Sequence, residues 1–425
     1  MDAPNPNQAS NQATTSHIAT HGCGPIPSSS ASHNTHSLRR RVFDALRAQG
    51  TIARVDLARA LDISPATVTS ISANLIEKGF AEEILLKRPE TKDIGRGRPP
   101  IGLKVKGTAG YVIGIKISDR FNSAVVLDLS GERICTVSLP TPETQRDPNS
   151  ILSETGALID AALKTSGFSR DAIVAIAVGL PGMVDFDAGR VIWCPFMIER
   201  NIALRDMLQD AFGYPVRIDN DANLLTLAEL WFGAGRHREN FAVVSIEHGV
   251  GMGLVIDHKV RRGGLGLGME LGHSKVQMDG ALCRCGRRGC LEAYVADYAL
   301  VREASTALNV AQASSNVSDT LDILYARAKD GDAPARAIFS RAGRYLAMGL
   351  ANVVTLFDPA LILLSGERLR FDYLYADEVL AEAQRLTLEQ GRAPTPVEIH
   401  AWGDFIWAQG AAALALDHAT EILID

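Results

Sequence analysis

One short stretch of the chain holds a histidine and three cysteines, namely His273, Cys283, Cys285 and Cys290. Three thiolates and one imidazole form a ligand set that binds zinc in a tetrahedral arrangement. Because four protein ligands leave no position for a water molecule, the sequence predicts a structural rather than a catalytic zinc ion. We therefore expect the metal to brace a loop that carries other functional groups.

Two glutamates bracket the predicted zinc site: Glu270 precedes the histidine and Glu292 follows the last cysteine. The metal needs neither carboxylate as a ligand. Carboxylates held beside a rigid loop accept hydrogen bonds from hydroxyl groups, which is the chemistry required to bind a sugar or another small polyol. The stretch thus predicts a ligand pocket as well as a metal site.

Residues 38–106 show the pattern of a winged helix-turn-helix, with a first helix that ends at Gly50 and a turn at 62–63 before a third helix. Ser64 is a favourable N-cap for this third helix, and Pro65 suits its first position. Its apolar residues recur at helical spacing, so the opposite face is free to enter a major groove. The residues predicted to contact DNA there are Ser64, Ala66, Thr67, Ser70 and Asn74.

A basic wing is predicted to follow. Strands at 80–86 and 101–105 flank a glycine- and arginine-rich tip at 95–100, where Arg96 and Arg98 can enter a narrow minor groove. The winged segment carries 14 Lys and Arg against 8 Asp and Glu, although the whole chain has a net charge of −6. A solvated basic loop and a helical bundle without a DNA-binding role are the alternatives. The agreement of cap, spacing and charge favours binding to double-stranded DNA.

The composition of the 425 residues, 46% of them hydrophobic, fits two or three globular domains. No apolar run is long enough to span a bilayer, so we expect no membrane association. Residues 1–37 are rich in Asn, Ser, Thr and His and are predicted to be a disordered tail rather than a secretion signal. The cysteines outside the zinc stretch, Cys23, Cys135 and Cys194, are scattered, which favours free thiols in the cytoplasm. A DNA-binding protein there would associate with the nucleoid.

From residue 107 onward, strands and helices alternate. A β-meander is predicted at 111–139, followed by a helix at 151–165 and a buried strand at 173–178. A second set of strands begins at 241–246. The most economical architecture for this order is two α/β halves with a cleft between them.

The combined pattern resembles the ROK family of repressors, open reading frames and kinases. The resemblance rests on the winged helix, the Glu-x-x-His and cysteine stretch, and three further motifs. These are Gly179-Leu-Pro181-Gly182, Asn220-Asp221-Ala-Asn223 and Leu356-Phe-Asp-Pro359. The resemblance implies a two-lobed actin-like (hexokinase-like) ROK domain at 107–425. Its lobes would lie at about 107–222 and 223–425, with the last helix packing back on the first lobe.

The resemblance also implies residue roles. Asn220 and Asp221 match the pair that binds the sugar, with Asp221 in the place of the catalytic base of the kinases. Glu270, His273 and Glu292 match the other sugar contacts. The histidine would then bind zinc through one ring nitrogen and donate a hydrogen bond to the sugar through the other.

Both phosphate-binding loops depart from the kinase pattern. The residues at 116–120 replace Asp-x-Gly-Gly-Thr, so Lys116 stands where kinases carry an acid that helps to hold Mg²⁺. The second loop, Gly-Thr-Gly-x-Gly in kinases, begins here with Glu247, an anion where phosphates would lie. Phosphoryl transfer depends on positioning and charge stabilisation. The sequence therefore predicts that this chain is not an enzyme.

Two substitutions bear on specificity. In the loop at 194–201, Phe196 replaces an asparagine that would contact the sugar, which predicts a more apolar pocket wall. Ser70 stands where many relatives carry a base-reading arginine, so the choice of operator is predicted to depend more on the wing.

The function predicted from these observations is a sugar-responsive transcriptional regulator, a repressor of carbohydrate-utilisation genes that binds palindromic operators as a homodimer or homotetramer. Two alternatives stay open. One is a bifunctional ROK sugar kinase with a fused DNA-binding domain, and the other is a repressor controlled by a protein partner.

Overall fold

The computed structural model of the chain describes the residues 22–26, 36–86, 101–141, 145–264, 266, 268–307, 317–366, 377–388, 391 and 393–425.

The N-terminal domain is a winged helix-turn-helix, as predicted. Its elements are α1 (Leu38–Gln49), β1 (Ile52–Ala53), α2 (Arg54–Leu61), α3 (Pro65–Glu77), β2 (Ala81–Leu85) and β3 (Ile101–Val105), with the strands paired in the order β1-β3-β2. The side chain of Ser64 caps α3 by accepting a hydrogen bond from the amide of Thr67 at 3.1 Å. The wing arginines Arg96 and Arg98 lie outside the described residues, so the wing tip stays a prediction.

The next elements form the first half of the α/β region. They are β4 (Tyr111–Lys116), β5 (Phe121–Asp128), β6 (Arg133–Pro140), α4 (Pro148–Ser166), β7 (Ile173–Leu180), β8 (Met183–Asp185), β9 (Arg190–Trp193), α5 (Leu204–Phe212) and β10 (Val216–Asn220). The main sheet has the order β10-β7-β4-β5-β6. Strands β10, β7 and β4 are parallel, so their carboxyl ends share one edge of the sheet, and β4, β5 and β6 form the antiparallel meander.

The second half repeats this plan. Its elements are α6 (Asp221–Phe232), β11 (Phe241–Ile246), β12 (Val250–Ile256), β13 (Lys259–Arg261), α7 (Glu292–Val295), α8 (Asp297–Ala307), α9 (Val317–Lys329), α10 (Ala333–Phe357), β14 (Ile362–Ser365), α11 (Asp377–Leu386), β15 (Val397–His400) and α12 (Ile406–Ile424). The sheet order is β13-β12-β11-β14-β15, with β11, β14 and β15 parallel.

The last helix, α12, packs on the first sheet and on α6 at very short range. A Cβ at Gly114 of β4 would lie 2.0 Å from the amide nitrogen of Ala412, and a Cβ at Gly410 would lie 1.9 Å from the carbonyl oxygen of Leu224. Glycine at these two positions therefore permits the close contact of α12 with both neighbours. Among the helices with described residues, none is long and apolar enough to cross a membrane.

Helix α1 is buried against the α/β region. Arg40, which is 1% exposed, pairs with Asp417 of α12 at 2.5 Å and with Asp425 at 3.1 Å. Arg47, 2% exposed, donates a hydrogen bond to Thr420 of α12 at 2.8 Å. A buried arginine is stable only when partners compensate for its lost hydration. The contacts therefore fix the DNA-binding domain to α12.

Residues 22–26 correct the prediction of a disordered tail at 1–37. The side chain of Cys23 is 3% exposed, and its amide donates a hydrogen bond to the carbonyl oxygen of Arg47 at 3.1 Å. Such backbone bonds satisfy buried polar groups without any apolar pattern in the sequence, so composition did not reveal them. Apart from 36 and 37, the rest of that predicted tail lies outside the described residues.

Candidate functional site

The predicted sugar-binding pair lies where β10 ends and α6 begins. Asn220 is the N-cap of α6, and its side-chain oxygen accepts a hydrogen bond from the amide of Asn223 at 2.8 Å. Because capping occupies this oxygen, the amide nitrogen of the Asn220 side chain is the group that can face a ligand. The neighbouring Asp221 is the first residue of the helix, where the helix dipole favours a negative charge.

Lys116 is the cation that acts on Asp221. Burial raises the pKa of the Asp221 carboxyl, and the positive charge of Lys116 opposes this rise. The ammonium group of Lys116 lies 3.7 Å from the centre of the Trp407 ring, a cation–π contact that holds the side chain in place. Lys116 therefore supports the carboxylate form of Asp221.

Glu270 and Glu292 flank the predicted metal ligands, and Glu270 lies near both Asp221 and Glu292. Burial, followed by the negative charges of Asp221 and Glu292, raises the pKa of Glu270 to about 7. Carboxyl groups that repel one another in this way share a small region of low polarity. We call Asp221, Glu270 and Glu292 the carboxylate cluster. Asn220, which precedes Asp221, ends the first half of the α/β region, and the three carboxylates belong to the second half.

Glu292 joins the predicted metal site to the second phosphate loop. One carboxylate oxygen accepts a hydrogen bond from the amide of Val250 at 3.4 Å, and the other accepts one from the hydroxyl of Tyr298 at 3.4 Å. The thiol of Cys283 also lies 3.6 Å from this second oxygen. Glu292 is thus held on two sides, which limits its freedom to turn away from a ligand.

The predicted metal ligands converge. One ligand atom from each of His273, Cys283, Cys285 and Cys290 lies within 4.8 Å of all the others. The two sulfurs of Cys285 and Cys290 are 3.7 Å apart, and the sulfur of Cys283 is 3.7 Å from Nδ1 of His273.

These separations fit zinc. Tetrahedral coordination with Zn–S bonds of about 2.3 Å places two sulfurs about 3.8 Å apart and a sulfur and an imidazole nitrogen about 3.6 Å apart. The ammonium group of Lys275 lies 2.8 Å from the sulfur of Cys290. Because Nδ1 of His273 faces the sulfurs, its Nε2 is the nitrogen left for a ligand.

The family follows from comparison with known proteins. The ROK family profile matches residues 112–418, and a winged helix-turn-helix DNA-binding profile matches residues 36–82. The chain belongs to the ROK family. The α/β fold with an N-terminal winged helix, predicted from the sequence, is thereby confirmed.

Three similar proteins illustrate the two branches of the ROK family. The xylose repressor of Caldicellulosiruptor bescii is 27% identical over 77% of this chain and 82% of its own length. The crystal structure of a ROK family transcriptional regulator, a homologue of the E. coli Mlc protein, superposes with a TM-score of 0.74 at 26% identity, covering 91% of this chain and 96% of that one. A ROK glucokinase from Streptomyces griseus, solved with glucose and AMPPNP, has a TM-score of 0.62 at 28% identity and covers 72% of this chain and all of its own.

In this ROK protein, the predicted second phosphate loop at 247–251 contacts the start of α8. Nδ1 of His248 lies 3.0 Å from the carboxylate of Asp297, whose amide donates a hydrogen bond to the carbonyl oxygen of Glu247 at 3.3 Å. The hydrogen bond to Asp297 raises the pKa of His248, although burial opposes it. The loop is therefore tied to the start of α8 by the contact between His248 and Asp297.

Phe196 does not line the cleft as the sequence predicted. Its ring is 4% exposed and packs in the core of the first sheet, with the guanidinium of Arg146 stacked 4.2 Å from the ring centre. The prediction that Phe196 makes one pocket wall apolar is therefore wrong. The loop at 194–201 turns this side chain inward because a buried arginine offers it a flat partner.

An ion pair that sequence reasoning missed joins the two halves of the α/β region. Nε of Arg262 lies 2.7 Å from the carboxylate of Asp219, which is 1% exposed and immediately precedes Asn220. The other oxygen of Asp219 accepts a hydrogen bond from the side chain of Asn223 at 2.8 Å. Arg262 also stacks 3.9 Å from the centre of the Phe186 ring. The sequence feature that could have predicted this pair is Arg262 itself, which stands directly before the glycine-rich residues 263–268.

The predicted DNA-reading residues lie on or before α3. Ser64, Ala66 and Ser70 are exposed, whereas Thr67 and Asn74 are partly buried. The side-chain oxygen of Asn74 accepts a hydrogen bond from Arg39 at 3.4 Å, and Nε of Arg39 donates one to the carbonyl oxygen of Ile424 at 2.6 Å. Asn74 is thus linked through Arg39 to the end of α12.

Proposed function

We propose that this ROK protein is a sugar-responsive DNA-binding repressor of carbohydrate-utilisation genes. The observation that carries the proposal is a winged helix fixed to a ROK domain that retains the residue types of a sugar site. Similarity to a xylose repressor and to the structure of a ROK family transcriptional regulator supports the proposal. The exposed face of α3, together with Arg96 and Arg98, would contact operator DNA. The protein would act in the cytoplasm on the nucleoid.

Sugar binding without phosphorylation is the second part of the proposal. Asn220, Asp221, Glu270, His273 and Glu292 would hold the hydroxyl groups of the sugar. Phosphoryl transfer needs a cation-rich, pre-organised site for the phosphates. Lys116 occupies the place of a Mg²⁺-binding acid, and the His248–Asp297 pair ties down the second loop. Asp221 then serves as a hydrogen-bond acceptor rather than as a catalytic base.

Zinc would hold the ligand-binding segment in place. His273, Cys283, Cys285 and Cys290 would be its four ligands, and a structural zinc ion stabilises the fold locally. Its role here is to fix Nε2 of His273 beside the carboxylate cluster. No reaction step depends on the metal.

The response to sugar would come from closure of the cleft. In a homodimer or homotetramer the winged helices face a palindromic operator, and their separation decides whether both bind. A sugar changes DNA binding only if its affinity differs between the DNA-competent and incompetent states. Ligand contacts drawn from both halves of the α/β region provide such a difference, because they form fully only in the closed cleft.

A thermal-shift panel of pentoses, hexoses, amino sugars and their phosphates, followed by gel shifts with genomic operator fragments, tests the proposal. At least one sugar is expected to raise the melting temperature and to change DNA affinity. ATP-dependent phosphorylation of that sugar would instead identify a bifunctional kinase. A silent panel together with sugar-independent DNA binding would favour control by a protein partner.

Replacing Arg262 by alanine is expected to weaken sugar binding by about ten- to a hundredfold. The change leaves the Asp219 carboxylate buried without its cation, and losing a hydrogen bond to a charged group costs about 1.5–3 kcal/mol. Calorimetric titration with the sugar found in the panel measures the effect. Arg261→Ala is the matched control, since Arg261 is exposed and makes only a surface pair with Asp257 at 3.6 Å. Equal affinities for the two variants would contradict the assigned role.

Sugar binding is expected to strengthen as the pH rises from 6 to 8. The pKa of Glu270 is raised to about 7, so the group is mostly protonated at pH 6. Sugar hydroxyls that donate to the carboxylate favour its ionised form, and binding at low pH must therefore release a proton. The expected loss is at most about tenfold at pH 6. Titrations in two buffers of different ionisation enthalpy count the released protons, and Glu270→Gln should remove the dependence.

A further inference from the structure

Residues 22–26, which we call the strap, contact both the DNA-binding domain and the ROK domain. The amide of Cys23 donates to the carbonyl oxygen of Arg47 in α1, and the amide of Gly24 donates to the carbonyl oxygen of Trp231 in α6 at 2.8 Å. The amide of Ile26 donates to the carbonyl oxygen of Arg236 at 2.8 Å. The strap thus bridges the last turns of two helices from different domains.

The side chain of Arg236 contacts both the strap and α1. Nε of its guanidinium donates to the carbonyl oxygen of Gly24 at 3.1 Å, and Nη2 donates to the carbonyl oxygen of Ala48 at 2.6 Å. One buried side chain from the ROK domain therefore binds the strap and the end of α1 together. Carbonyl groups at the end of a helix lack partners within it, so a cation there is stabilising.

The strap fits closely in a groove formed by the end of α1 and the turn at 130–131. A Cβ at Gly22 would lie 2.3 Å from the carbonyl oxygen of Ala48, and the sulfur of Cys23 donates to the carbonyl oxygen of Ser130 at 3.2 Å. A Cβ at Gly131 would lie 2.0 Å from that sulfur. Side chains at both glycines are excluded, and Gly22 also has a left-handed φ of +74°.

Helix α6 joins this groove to the candidate sugar site. It begins at Asp221 in the carboxylate cluster and extends to Phe232, next to Trp231, whose carbonyl oxygen binds the strap. The ring of Trp231 also lies 4.7 Å from the guanidinium of Arg47 in α1. A helix of this length moves as a rigid body, since its internal hydrogen bonds resist bending. A shift at Asp221 must therefore appear at Trp231.

We propose that the strap is a coupling element that fastens the end of α6 to α1, so that sugar-induced movement of α6 is passed to the DNA-binding domain. This inference rests on the proposed function, because it requires a sugar at the start of α6. Arg40 holds the other end of α1 to α12. With both ends held, α1 follows the ROK domain. Removal of the strap breaks its backbone bonds to Arg47 and Trp231 and leaves that end of α1 with the side-chain contacts of Arg47 and Arg236 alone.

A deletion of residues 2–27 tests the proposal, with a deletion of residues 2–20 as the matched control that keeps the strap. The ratio of the DNA dissociation constants with and without sugar is measured for each protein. The shorter deletion is expected to keep the wild-type ratio, and the longer one to bring it within about twofold of 1. Sugar affinity measured without DNA should stay within about threefold of wild type in both. Gly22→Val, which blocks the strap from docking by the steric clash described above, should behave like the longer deletion.

A longer deletion that keeps the wild-type ratio would overturn the coupling role. So would unchanged hydrogen exchange of the amides near the ends of α1 and α6 after the strap is removed, since these groups would then not depend on it. Wild-type protein whose DNA affinity no sugar alters would refute the proposed function and the transmitting role together. If the wild-type protein and the deletion of residues 2–27 both respond normally to sugar, only the strap proposal fails and the proposed function stands.

Discussion

At sugar concentrations near the wild-type dissociation constant, Glu270→Ala is expected to remove the response to sugar, while operator affinity without sugar stays within about twofold of wild type. Glu270 lies near enough to Asp221 and Glu292 for both charges to act on it, and a buried carboxylate accepts strong hydrogen bonds from hydroxyl groups. Losing one hydrogen bond to a charged group costs about 1.5–3 kcal/mol, or roughly ten- to 150-fold in sugar affinity. The DNA-reading face of α3 belongs to the separate winged-helix domain. Gel shifts with and without the inducing sugar, and calorimetric titration without DNA, measure the two properties independently.

Glu270→Gln provides the matched variant, because it keeps the shape of the side chain and removes the charge. It should bind sugar more weakly than wild type and more tightly than the alanine variant, since its amide oxygen still accepts a hydrogen bond. Wild-type Glu270 is ionised above pH 7 and is then repelled by its neighbours. At these pH values, Glu270→Gln should therefore slightly increase the stability of the unliganded protein. An undiminished sugar response in Glu270→Ala would show that the pocket lies elsewhere.

The sequence contained the local features of both domains. Ser64 followed by Pro65 predicted the start of α3, and the structure has the cap at that position. The spacing of the cysteines and His273 predicted a cluster that the fold brings together. Each of these signals joins residues close in the chain, where a cap or a ligand set imposes its own geometry.

Contacts between distant residues were not predictable in the same way. The pairs of Arg40 with Asp417 and of Arg262 with Asp219 depend on how whole elements pack, and an arginine in a sequence is exposed more often than buried. Phe196 was assigned to the pocket from its position in a motif, yet a stacked arginine draws it into the core. The strap binds mainly through backbone groups, which every residue other than proline carries. No side-chain pattern marks such a segment.

The predicted zinc site is the source of the second large effect. Removal of the metal by a chelator, or Cys285→Ser, is expected to lower the melting temperature and to eliminate sugar binding. Binding of a structural zinc ion releases about 10–16 kcal/mol in small zinc domains, so even a fifth of this value matters here. A loss of about 3 kcal/mol lowers the melting temperature of a domain the size of residues 107–425 by roughly 5 °C, since the unfolding entropy is about 2.1 cal/mol/K per residue. Cys285 is exposed, so its substitution removes a ligand without leaving a cavity in the core.

Cys135→Ser separates the loss of metal from the loss of a thiol. Cys135 is partly buried in β6 and lies outside the ligand cluster, so this variant should retain one zinc ion per chain and bind sugar normally. Cys285→Ser should lose the zinc in elemental analysis and should retain DNA binding, because the winged helix is held by α12 and Arg40 rather than by the metal-bearing segment. Since Glu292 contacts both Cys283 and the second phosphate loop, release of the metal frees Glu292 and His273 together. Freshly purified wild-type protein without zinc, or a Cys285→Ser variant with wild-type sugar affinity, would contradict this account.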